Sequence, residues 1–352
     1  MKIIHWYLAR VLLVSSTLAL FVLTALSSLI KFFDQFRLIG RGTYTLFDTF
    51  IYTLYLIPKD LEMFAPMAVL LGSLIGMGSL AARSELIILQ SIGLSKFQII
   101  RSSFFAILPF IFAAMLVSEY VAPRCEEKAL QLQSIKLSGG DMISTLKSVW
   151  SKDHNQFINI GRIKSLWHVQ DLIIYKFDEH NKIQHITSAK EAFYEKDHWH
   201  LHKVKIQHIS PKEITSTTKE EQNWQGNLTP EKLKAVGTQA SSMSLSVLQD
   251  YIDYLKANDQ DAGAYELAFI RKLYLPINMM VMVVLSLSFV FGSPRHTTMG
   301  TRMLSGILLG FSFYILNEVS SNLSIVYHIP ALIAAVIPSI VFSAIAAKLL
   351  RR

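Results

Sequence analysis

Hydrophobic residues gather along the chain in six runs, three towards each end, on either side of a polar middle. The runs cover approximately Val11–Phe33, Leu61–Ala82, Phe97–Val121, Leu273–Phe291, Met303–Ser321 and Ile329–Leu350. Each is long enough to cross about 30 Å of hydrocarbon as a helix rising about 1.5 Å per residue, so the pattern predicts six membrane spans. The first run is too long for a cleavable signal peptide, and no small-residue cleavage site follows it.

In the polar middle the period shortens from helical to alternating. Phe157–Ile160, Leu172–Phe177, Ile183–Tyr194 and His198–Ile209 are rich in β-branched and aromatic residues, with turn formers such as Asp178-Glu179-His180-Asn181 between them. Ile173, Tyr175 and Phe177 share one strand face. In the last strand Trp199 and Leu201 point one way and Val204 and Ile206 the other, which predicts a bulge near Lys203. Strands at this spacing predict a sandwich or jelly roll of about 110 residues. Leu245, Leu248, Ile252 and Leu255 then mark a short amphipathic helix. The chain thus divides into three spans with a short helix at 84–93 (residues 1–134), a β domain (135–243), and a connecting helix with three more spans (244–352).

Composition agrees with a membrane protein carrying a sizeable polar portion. Of 352 residues 51% are apolar and 17% charged, and the mean hydropathy is +0.36, which excludes an ordinary soluble enzyme and a disordered chain. A single cysteine, Cys125, excludes a disulfide framework. The net charge of +8 invites a nucleic-acid reading, but residues 122–270 hold 18 basic and 19 acidic residues, so the excess lies beside the apolar runs. There it orients helices, and no nucleic-acid partner is expected. One set of loops and ends carries Lys2, Arg10, Arg83, Lys96, Arg101, Arg295, Arg302, Lys348, Arg351 and Arg352 against Glu85 alone. The other carries Lys31, Arg37, Arg41, Lys59, Arg271 and Lys272, balanced by Asp34, Asp48, Asp60, Glu62, Glu119 and Glu318. Positive charge stays inside, so both termini are expected in the cytoplasm and the β domain beyond the membrane.

Catalytic signatures are scarce. The chain has no G-x-x-x-x-G-K-[ST], H-E-x-x-H, G-x-S-x-G or C-x-x-C, and no carboxylate pair at mid-span. His198, His200 and His202 share a strand face at ligand-like spacing, but eight of eleven histidines fall between His154 and His208, which reads as local composition, and no metal site is expected. Ser84-Glu85-Leu86-Ile87-Ile88-Leu89-Gln90-Ser91-Ile92-Gly93 is too apolar for a solvated loop and too short to span. It predicts a short helix with a favourable first-turn carboxylate and a glycine stop. Such a helix buries its apolar face either in a partner's groove, as where a permease docks on an ATPase, or in lipid. Lys31, in the last turn of the first span, is costly there unless it snorkels, pairs or meets an anionic ligand, snorkelling being the commonest outcome. Arg271 and Lys272 read as interfacial anchors. Gly72-Ser-Leu-Ile-Gly76 and Gly306-Ile-Leu-Leu-Gly310 suit close helix approach, and Pro66, Pro109 and Pro338 suit kinks.

Further residues carry a resemblance. Ile30-Lys31-Phe32-Phe33-Asp34-Gln35-Phe36 closes the first span, and Pro58-Lys59-Asp60 with Phe64-Ala65-Pro66-Met67-Ala68 opens the second. Ala82-Arg83-Ser84-Glu85-Leu86, Glu119-Tyr120-Val121-Ala122-Pro123, Leu228-Thr229-Pro230, Asp259–Tyr265, Phe289-Val290-Phe291-Gly292 and Met299-Gly300 follow in order. In sequence and spacing these resemble the LptF/LptG (YjgP/YjgQ) permeases of the lipopolysaccharide-export ABC transporter, on the LptG side of that family, over essentially the whole chain.

The resemblance implies six spans and a periplasmic β-jelly roll in a Gram-negative inner membrane. It implies a non-catalytic permease paired with an LptF-like permease on two LptB ATPases, which bind the ATP and Mg, with LptC and LptA receiving lipopolysaccharide. No cofactor is expected in this chain. Ser84, Glu85, Leu86, Leu89 and Gly93 map to the ATPase-coupling helix, and Lys31, Arg37, Phe32 and Phe64 to lipopolysaccharide contact. The sequence departs from the family at Leu38 and at the widely spaced Lys128 and Lys136. The sister LptF role and a membrane sensor with an outer β domain are the alternatives.

Overall fold

A backbone in hydrocarbon must satisfy its own N–H and C=O groups, which leaves the helix as the form open to a single apolar run. A computed structural model of the chain describes residues 2–137, 149–153, 155–165, 167–178, 182–195, 198–210, 213–226, 228–230, 233, 239–258, 260–292 and 299–350. All six runs are helices in it. Residues 179–181 of the expected turn lie outside this description, as do Asp259, Arg295, Arg351 and Arg352.

In chain order come α1 (Lys2–Asp34), a 3₁₀ turn (Gln35–Leu38), α2 (Leu46–Ala82), α3 (Glu85–Ser91) and α4 (Lys96–Leu116). A π-helical turn (Val117–Val121) leads without a break into α5 (Ala122–Leu137). After the strands follow α6 (Leu245–Ala257), α7 (Gly263–Gly292), α8 (Met299–Tyr327) and α9 (Ala331–Leu350). Several helices outrun their apolar segment; α2 starts fifteen residues before Leu61, because backbone bonding continues after the side chains turn polar.

By contact the chain forms two units, Met1–Asp34 with Thr53–Glu126 and Gly263–Arg352, and Gln35–Tyr52 with Glu127–Ala262. The main core of the helical unit joins Leu8 and Leu12 from α1, Val69, Leu74 and Met77 from α2, Ile99 and Ile107 from α4, and Met282 and Leu285 from α7. The small-residue motif in α2 lets this helix lie against α1: a Cβ at Gly72 would sit 2.3 Å from the Ser16 Cα. The second motif is half as strict. A Cβ at Gly306 would meet the Leu74 Cδ1 at 2.4 Å, whereas at Gly310 the nearest atom, of Met67, would be an ordinary 3.4 Å away. Pro58, Pro66, Pro109, Pro276 and Pro338 all sit inside unbroken helices.

The expected β domain is a six-stranded antiparallel sheet, β1 (Val149–Asp153), β2 (Gln156–Ser165), β3 (His168–Phe177), β4 (Ile183–Glu195), β5 (His198–Ile209) and β6 (Ile214–Trp224). Each strand pairs with its chain neighbour in a jelly-roll-like meander. One position in each of five strands drops out of the pairing: Gly161, Asp171, Lys190, Lys203 and Glu220 face one another across the sheet while the positions on either side stay paired. Along this crease the inward face changes parity. Ile158, Ile160, Leu172, Ile174, Ala189, Val204 and Ile206 point inward on one side, and Ile163, Val169, Ala192, Trp199 and Leu201 on the other, yet all join one core.

Asp171 and Lys203 make the turn with φ of 55° and 53°. Gly161 gives them room, since a Cβ there would stand 2.8 Å from that of Asp171. The face change expected at Lys203 is therefore present, but its cause is this left-handed backbone; the register of β5 with both neighbours is unshifted, so there is no bulge. Ile173, Tyr175 and Phe177 do share a face, the outer one, where Tyr175 stacks on Trp150 and Phe177 meets Phe157 edge-on.

Candidate functional site

Two features of the helical unit bring candidate functional side chains together. The first is the segment Pro58-Lys59-Asp60-Leu61-Glu62 in α2. Residues turn by about 100° per step, so 59, 60 and 62 face three directions, and each meets a different helix. Asp60 accepts from Lys31 of α1 and also from Ser27 at 3.2 Å. Lys59 donates to Glu126 of α5. Glu62 is 3.1 Å from Lys272 of α7.

Lys272 is not the surface anchor expected of it. It is 7% exposed, and besides Glu62 it donates to the Ser118 carbonyl and hydroxyl at 3.3 and 3.2 Å. The cause is the π turn at Val117–Val121, where the widened backbone pattern makes a carbonyl available. Arg271 pairs with Glu318 at 3.5 Å. Three of the charges on each side of the sequence balance thus meet as individual ion pairs, Lys31–Asp60, Lys272–Glu62 and Arg271–Glu318.

Lys31 likewise pairs and does not snorkel. Phe32 packs edge-on against Phe33. Phe64, half-buried, follows Asp60 by one turn on the same face of α2. Arg37 is exposed in the 3₁₀ turn of the other unit. In that unit Thr43 N–H donates to the Lys136 carbonyl at 2.8 Å, and the Lys136 ammonium pairs with Asp48 at 3.4 Å. Lys31 and Asp60 are joined directly, and the importance of Asp60 was not apparent from its place among balanced loop charges.

The second feature is α3, between α2 and α4. Ser84 enters it with φ 62° and makes no side-chain cap; Gly93, at φ 99°, provides the expected stop. Leu86, 3% exposed, is buried in the core with Leu89 packed beside it. These two of the five expected coupling residues therefore anchor the helix to its own chain. The apolar face that remains consists of Ile87, Ile88 and Ile92, at 65, 55 and 68% exposure, which the apolar run contained but could not assign to a side. Glu85 sits in the first turn and accepts a hydrogen bond of 2.8 Å from the Tyr7 hydroxyl of α1. Tyr7→Phe removes that bond alone and is expected to raise amide exchange in α3 about fivefold, the equivalent of about 1 kcal/mol, with the rest of the unit unchanged. Unaltered exchange in α3 would show that the tether carries no weight.

In the β unit a cavity of about 180 Å³ is lined by Gln156, Lys176, His185, Gln222 and Trp224 among others. Burial holds the His185 imidazole below its ordinary range, with Lys176 and His208 adding to the effect. His198, His200 and His202 do share a face, opposite Trp199 and Leu201, and His202 approaches Glu221 at 3.4 Å. Among the described residues no cluster of His, Cys, Asp and Glu is arranged to hold a metal ion.

Comparison with known proteins gives a consistent result. A family model described as lipopolysaccharide export system permease LptF/LptG matches residues 6–352. The lipopolysaccharide export system permease protein LptG of Haemophilus influenzae is 40% identical over 338 residues, covering 96% of this chain and 94% of that protein. The protein of the same name from Escherichia coli K12 is 37% identical over 349 residues, covering 98% and 97%.

Proposed function

The chain belongs to the lipopolysaccharide export permease LptF/LptG family, and from that premise we propose how its two sites divide the work. It is a permease subunit of a lipopolysaccharide export system, a multi-pass inner-membrane protein acting beside an LptF-like partner. In the proposed arrangement both termini and α3 face the cytoplasm and the β unit faces the periplasm. Two LptB ATPases bind ATP and Mg and dock on α3; LptC and LptA take the lipid onward. Both relatives carry the name LptG, which favours that role over the sister one.

The observation that carries this reading is the split character of α3. A seven-residue helix buries Leu86 in its own chain yet presents Ile87, Ile88 and Ile92 outward beside Glu85. An apolar face rimmed by a carboxylate suits a groove with a cation at its edge. Movement of that groove passes into the spans through the buried anchor.

At the other end Lys31 and Arg37 meet the phosphates of the headgroup, and Phe32 and Phe64 meet acyl chains. A lipid with several chains does not leave the bilayer unaided, because each CH₂ exposed to water costs about 0.8 kcal/mol. A collapsing apolar cavity lowers that barrier by never exposing the chains. The test is purification with the ATPase and the partner permease, with a photo-crosslinker at position 32 or 88. The expected adducts are lipopolysaccharide at 32 and the ATPase at 88, with ATP-dependent release of lipid from proteoliposomes. Absence of lipid at 32 beside normal adducts at 88 would reject the cavity role.

A further inference from the structure

Asp60 is 1% exposed, and both its carboxylate oxygens are engaged, Oδ1 by the Lys31 ammonium and Oδ2 by the Ser27 hydroxyl. Lys31 is one-third exposed, at 32%, so its ammonium has a buried side facing Asp60 and an open side. A carboxylate that water does not reach needs a cation beside it to offset its lost hydration. We propose that Asp60 is a built-in rival of the lipid phosphate for Lys31, a positioning residue that sets how tightly the headgroup is held and allows it to be let go. The inference rests on the reading that Lys31 meets phosphate.

The argument is electrostatic. A phosphate oxygen bonded to the open side of the ammonium lies within about 5 Å of the Asp60 carboxylate, where like charges in a low dielectric repel. Each anion therefore weakens the hold of the other on the shared cation. A lone lysine at this depth would bind phosphate tightly and release it slowly, which suits a receptor and hinders a transporter. The pair also joins two helices, α1 and α2. A shift of one against the other changes the length of the Lys31–Asp60 bond, and with it the strength of the phosphate contact.

The test uses the complete complex with its ATPase and partner permease, in nanodiscs for binding and proteoliposomes for release. The probes are bisphosphorylated lipid A and its dephosphorylated form. Asp60→Asn keeps the shape and removes the charge; its amide oxygen still accepts from Lys31, and its amide N–H donates to the Ser27 hydroxyl, reversing that bond. It is expected to bind the bisphosphorylated probe about three- to fivefold more tightly and to release it more slowly per ATP, with no change for the dephosphorylated probe. A merely structural role weakens binding and release together, so unchanged or weaker binding by a folded variant overturns the proposal.

Should Asp60→Asn fail to assemble, Ser27→Ala replaces it. That variant takes away one donor, draws Asp60 closer to Lys31, and is expected to bind the probe about twofold more weakly; equal or tighter binding overturns the proposal. Lys31→Met/Asp60→Asn removes both charges of the pair and separates the two readings. If it binds the bisphosphorylated probe as the native protein does, Lys31 meets no phosphate and both readings fall. If it binds more weakly while Asp60→Asn does not tighten, only the rivalry falls.

Discussion

Lys272→Met is expected to lower the stability of the helical unit by about 3–5 kcal/mol, read as earlier thermal unfolding of the purified protein in detergent. The Lys272 ammonium satisfies Glu62 and both oxygens of Ser118, and it is sealed from solvent. Methionine fills the same space and offers no donor. Glu62 is then left as a half-buried anion without its cation, and the Ser118 carbonyl in the π turn loses a donor. Lys272→Met/Glu62→Gln removes the stranded charge and is expected to recover most of the loss. If the single variant melts with the native protein, the ion pair contributes nothing and the expectation fails.

Glu85→Ala is expected to cut ATP-driven lipid release about tenfold, as loss of one charge-assisted hydrogen bond worth about 1.5 kcal/mol or more at the proposed docking face would. Helix α3 should still form, since Leu86 holds it and Gly93 ends it. The informative comparison is with Tyr7→Phe. That variant frees the carboxylate from α1 and leaves it available to the ATPase, so docking should survive. Equal losses in the two variants would make Glu85 an internal strut and remove it from the ATPase contact.

How far the residues alone foretell this molecule depends on range. The spans, the β segment and the short helix all rest on periodicity within about twenty residues, and each is present. So is the close approach at Gly72, where two small residues a turn apart admit a neighbouring backbone. β6 escaped notice because Ile214–Trp224 is an edge strand exposed on both faces, and a strand with no buried side needs no alternation. Lys272 was misplaced because its partner Glu62 lies 210 positions away, and the π turn that accepts it has no composition of its own. In α3 all the apolar residues were visible, but which of them face inward is decided by a core that other helices supply.

The sequential order of the strands has a kinetic consequence. Every strand pairs with the one made just before it, and β2 to β6 follow each other across connections of a few residues. Short-range pairing closes fast, so hairpins can zip up in turn while the ribosome is still adding residues. Five of the six strands are complete at Ile209, before any of α7, α8 or α9 has been translated. Vectorial synthesis therefore suits this topology: the last three helices are made after the sheet has already found its shape.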